Sequence, residues 1–118
     1  MKNLKSLLLS AGIVCVGTTI YSHPGVPETS ASAIITTENC ITLDATQPLQ
    51  NFYSIDISHL GFSSEYLAKK HFGHIENNLI TYHVDFTHSK VVLELHLDRV
   101  PADKDLTWWG EYLNSLCK

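Results

Sequence analysis

The sequence predicts an α+β domain in the element order β-β-α-β-β-α, an antiparallel sheet with two helices on one face. Three observations carry this. Residues 51–58 and 79–97 alternate apolar and polar side chains, the period of a half-buried strand. Residues 63–72 and 103–117 repeat apolar side chains at helical spacing. The composition, 44% hydrophobic and 17% charged over 118 residues, is that of one packed domain.

The elements follow in order. Met1 to Ile20 has a cationic start, Lys2 and Lys5, then an uncharged 14-residue run from Leu7 to Ile20. That pattern is a secretory signal peptide, and the run is short of the roughly 20 apolar residues a membrane span needs. Two cuts fit: after Ser22, close to the apolar run, and after Ala33, behind Ala31-Ser32-Ala33. The first suits the distance better, so residues 1–22 are taken as signal, 23–36 as a flexible leader rich in Pro, Ser and Thr, and 37–118 as the domain. Export places the chain in the periplasm or outside the cell, with no membrane span left.

Residues 39–43 (NCITL) are β-prone, and a seven-residue loop returns to the next strand. In that strand Tyr53, Ile55 and Ile57 share the inner face and Asp56 the outer one. Ser63 can cap the following helix, with Leu67, Ala68, His71 and Phe72 as its stripe and Gly73 as its stop. In 79–97 the inner faces are Ile80, Tyr82, Val84, Phe86 and Val91, Leu93, Leu95, Leu97. A two-residue turn at His88-Ser89 pairs Phe86 with Val91 and Tyr82 with Leu95, placing His83 opposite Glu94 and Thr81 opposite His96. Pro101 stops the strand. In the last helix Leu106, Trp109, Leu113 and Leu116 form the stripe, with Asp105 or Thr107 as cap.

The order from Phe52 to Leu116 resembles the ferredoxin-like fold of heavy-metal-associated domains without its last strand. That family carries MxCxxC between first strand and first helix. Here the stretch is Ser58-His59-Leu60-Gly61-Phe62-Ser63-Ser64, without cysteine, so its metal chemistry is not implied. The chain also resembles small exported proteins of unknown function that end in Trp-x-x-Tyr-Leu, here Trp109 to Leu113. Segment 39–43, run antiparallel to the Tyr53 strand, would fill the missing position. It would bring Cys40 to Cys117 at the end of the last helix.

Cys15 leaves with the signal, so Cys40 and Cys117 remain, and in an oxidising compartment they are expected to be bridged. Closing 76 intervening residues stabilises by about 4–5 kcal/mol in the chain-entropy model.

Removing Lys2 and Lys5 leaves six cationic against 12 acidic residues, a charge of −6. Such a chain does not attract nucleic acid. No G-x-S-x-G elbow, HExxH, CxxC or phosphate loop occurs, so no enzyme is expected.

Seven histidines are the remaining chemistry. On the outer sheet face His83, His96, Glu94 and Asp85 form a candidate copper or zinc site, with Asp56 beside it. The same residues also suit an ordinary solvated sheet with a favourable His83–Glu94 pair. His71 and His74 suit a helix C-terminus without a ligand, with His59 in the loop before that helix. His23, freed by a cut after Ser22, would be an amino-terminal copper chelator. Trp108 flanks the buried Trp109 stripe, where it is expected to cover the rim of the core with Tyr112; the other reading makes it a candidate contact for a protein or peptide partner. The expected function is a small exported binding domain with no cofactor. The alternative is a metal-binding protein using the His/carboxylate face.

Overall fold

The computed structural model describes residues 26–117. It is an α+β fold: one five-stranded mixed sheet and two helices. The strands are β1 (Ser32–Ile35), β2 (Ile41–Leu43), β3 (Phe52–Asp56), β4 (Ile80–Asp85) and β5 (Lys90–Leu95). Helix α1 is Glu65–Ile75 and α2 is Leu106–Ser115. The sheet order is β2-β1-β3-β5-β4.

Strand β1 corrects the expected flexible leader. Its Ala33 and Ile35 are buried while Ser32 and Ile34 point out. Four residues bracketed by Ser and Thr are too short to show a period, and only burial against the core selects them as strand. β1 also corrects the all-antiparallel sheet. It lies beside β3 in parallel, Ala33 opposite Ile55, and β2 pairs antiparallel with β1. β2 therefore has the expected direction relative to β3 but sits one strand further out.

The β4–β5 hairpin keeps the expected faces in a different register. Tyr82 pairs with Leu93 and Val84 with Val91, a shift of two residues from the His88-Ser89 turn. The connection is Phe86–Ser89, a 3-10 turn capped by the Asp85 carboxylate, with Ser89 in the left-handed region at φ 52°. Because side chains alternate with period two, a shift of two leaves every residue on its face.

Ser64 caps α1 by accepting from Leu67 N–H, and the helix runs through Gly73 to Ile75. Ile75 packs against the core, which explains the extra turn. Asp105 caps α2, accepting from Trp108 N–H at 3.0 Å. α1 packs on β4 and α2 on β2. Their Phe72, Trp109 and Leu113 join Ile35, Ile41, Tyr53, Ile55, Leu93 and Leu95 in one core, so both helices cover the same face.

The opposite face is not bare. Val92 points there, beside the outward residues of β3 and β4, and is 0% exposed. Residues 26–30 reach this side and share a cavity with Asp85 and Lys90. They then enter β1, with Thr29 Oγ1 donating to the Phe52 carbonyl and Ser54 N–H donating to the Ala31 carbonyl. The segment is a strap over the sheet rather than a free leader.

Candidate functional site

The sheet face assembles its polar residues in two separate groups. In the first, His83 Nε2 lies 2.9 Å from Glu94 Oε1 and His96 Nδ1 3.7 Å from Glu94 Oε2. His96 Nε2 meets Thr81 Oγ1 at 2.7 Å. Glu94 thus stands between two imidazoles. His83 is not opposite Glu94, as the two-residue turn implied, but diagonal to it: Val92 is opposite His83, and Glu94 is opposite Thr81. The contact survives because long side chains span the diagonal.

Asp85 does not join this group. It is 4% exposed, not part of an open patch, and pairs with His88 at the turn: His88 Nδ1–H donates to Asp85 Oδ2 at 2.8 Å. The four-residue connection creates this pair, and a two-residue turn hides it. Asp56 stays exposed at the end of β3, and its carboxylate accepts from Ser58 N–H at 2.9 Å. That bond holds the Asp56 carboxyl below its ordinary value.

Two other histidines work on the β1–β2 hairpin. His59 Nε2–H donates to the Ile35 carbonyl at 2.7 Å, and His71 Nε2–H to Asn39 Oδ1 at 2.9 Å. Asn39 closes that turn in the left-handed region at φ 69°. Burial, and then the nearby His74, push the His71 imidazole below its ordinary value. No sequence signal pairs these histidines with the hairpin, because the partner residues lie 24 and 32 positions away. His23 lies outside the described residues.

Cys40 and Cys117 stand at disulfide distance, with Cα atoms 4.5 Å apart, joining the start of β2 to the end of α2. Between these elements runs a groove of about 500 Å3, floored by Ile41 and Leu43 and walled by Leu106, Gly110, Glu111 and Asn114. Trp108 is half-buried and stacks on Tyr112 at 5.3 Å with rings nearly parallel, while Lys104 lies over it. Trp108 thus covers the rim of the core.

Chemically, Glu94 accepts from His83 and stands at ion-pair distance from His96, and Asp85 accepts from His88 Nδ1–H. Among the described residues no group of three or more His, Cys, Asp or Glu side chains is placed to hold one metal ion. No described helix is long and apolar enough to cross a membrane. Compared with known proteins, the chain matches no family model, no curated protein and no solved structure.

Proposed function

We propose that the chain is exported, loses residues 1–22, and acts as a small non-enzymatic binding domain for a protein or peptide. The observation that carries export is the Cys40–Cys117 pair at disulfide distance, since such cross-links persist in oxidising compartments. The charged-then-apolar start of the chain supports it. Binding rather than catalysis is supported by the side-chain pairing. His83, Glu94, His96 and Thr81 hold one another in a fixed array, the preorganised surface that recognition favours. In this reading the stretch from Phe52 to Leu116 is a ferredoxin-like unit whose free edge β1 and β2 extend.

Intact mass of the exported protein tests the first part. The expected mass lacks 22 residues and two hydrogens; a retained leader or free thiols would remove the export reading. A photo-crosslinking residue at Asp56, on the sheet face, should trap a discrete partner. The same residue at the exposed Tyr66 of α1 should not. Equal trapping at both sites would take the interface off the sheet.

Metal uptake on the sheet face is the second reading; it requires His83, Glu94 and His96 to rearrange, because as they pair with one another they form no ligand set. The double variant His83→Ala/His96→Ala should then lose copper or zinc uptake while folding normally. Unchanged uptake would sink that site.

A further inference from the structure

We propose that the groove between β2 and α2 docks an extended peptide segment that carries a lysine or arginine among apolar side chains. The groove lies at the edge of the sheet, apart from the His83–Glu94–His96 face, and does not depend on that face being an interface.

The groove is bounded by β2, the edge strand, with the turn after it, and by α2 along residues 106–114. Eight helical steps span about 12 Å. About four residues of extended chain fill that length. The Cys40–Cys117 pair, with Cα atoms 4.5 Å apart, joins the start of β2 to the end of α2. The two walls are therefore spaced before anything binds, which lowers the ordering cost of binding.

The walls are chemically one-sided. Ile41 and Leu43 are almost fully buried, so the apolar contact is made by Ala45 and Leu106, which are exposed and half-buried. On α2, Thr107, Gly110, Glu111 and Asn114 share one face at the i, i+3, i+4, i+7 spacing. No Lys, Arg or His lines the groove. Glu111 is exposed, and among the described residues no cation pairs with it. Asp44, between Leu43 and Ala45, adds a second carboxylate at this edge. The chain as a whole carries −4. An acidic groove on an acidic chain selects a cationic occupant and disfavours a second copy.

Gly110 shows where the occupant's backbone runs. A glycine inside a helix is less stable there than alanine. A Cβ at Gly110 would meet nothing within 4 Å, so no contact within the chain calls for the glycine. It lies in the middle of the groove wall, where a missing side chain lets another backbone come close. Gly73 of α1 is equally free of contacts but lies outside this groove, which makes it the control.

The test uses the whole chain, isotope-labelled and with its cysteines oxidised. The probes are the acetylated tetrapeptide amide Val-Lys-Val-Ser and its counterpart with Glu in place of Lys. Each is titrated to millimolar concentration while backbone amide shifts are followed. The lysine peptide should shift the amides of residues 41–45 and 107–114 to saturation, and the glutamate peptide should not. Glu111→Gln should weaken the lysine peptide by about threefold, as expected for an exposed ion pair, and Glu111→Lys should reverse the preference. Gly110→Ala should raise the thermal midpoint, as Gly73→Ala should, yet weaken the peptide about tenfold through the added methyl. Gly73→Ala should leave binding unchanged. No saturable shift at these amides, an equal response to both peptides, or unchanged affinity in Gly110→Ala overturns the site. Self-association that Gly110→Ala abolishes would give the groove to a second copy and overturn it as well.

Discussion

The two hairpins of this sheet hold together in different ways. β4–β5 pairs over six residues on each strand, and β5 buries Val91, Val92, Leu93 and Leu95 completely. Its cohesion is its own apolar face. β1–β2 pairs over three positions and is held from outside, by the cysteine pair at β2, by His59 on Ile35 and by His71 on Asn39. A short hairpin buries too little to order itself. The long one is written in its sequence, while the short one depends on the core that Ala33, Ile35, Ile41 and Leu43 enter, on the edge of β3 and on these clamps.

The largest way to break this comparison is to remove the strongest clamp. Cys40→Ser with Cys117→Ser should cost about 4–5 kcal/mol in the chain-entropy model. In native-state hydrogen exchange the Ile34 and Thr42 amides should then open below the global free energy, while β5 amides still track it. Uniform loosening of both hairpins would erase the distinction.

A cut into the long hairpin should behave differently. Leu93→Ala leaves a cavity at a fully buried site and should cost about 3 kcal/mol. Chemical denaturation should show one cooperative transition at a lower midpoint, with no separate opening of β1–β2.

A smaller effect is expected at Asn39. Its φ of 69° is poorly tolerated by most side chains, and its amide is the partner of His71. Asn39→Ala should cost about 1–2 kcal/mol, and Asn39→Gly, which relieves the backbone but not the lost hydrogen bond, should cost less. Equal losses would assign the whole effect to the hydrogen bond.

The smallest effect is with pH. The His71 imidazole is held below its ordinary value of 6.5 by burial first and His74 second, so the unfolded chain takes this proton more readily. The contribution is complete above about pH 6.5 and declines as pH falls from there toward the depressed folded value. In thermal melts His71→Phe should flatten that decline, and an unchanged pH slope would place its origin elsewhere.

The alternating runs made β3, β4 and β5 legible, and helical spacing did the same for both helices. Local spacing also marked Asp105 as a cap. The candidate site was half legible. Parity placed His83, Glu94 and His96 on one face, and the structure joins them there. The Asp85–His88 pair escaped, because it depends on how many residues the turn uses, and His-Ser carries no strong turn signal. A lone Ser89 at positive φ is the kind of choice that tertiary context makes.

The sequence by itself determined the faces of the long strands, the helix stripes and the α+β class, because burial period and capping act over a few neighbouring residues. Only the tertiary structure decided that Ser32–Ile35 is a strand, that it runs parallel to β3, and that the segment before it straps the sheet. Those outcomes depend on contacts between segments some twenty or more residues apart. Such contacts form only where the rest of the core leaves a free edge of the right length.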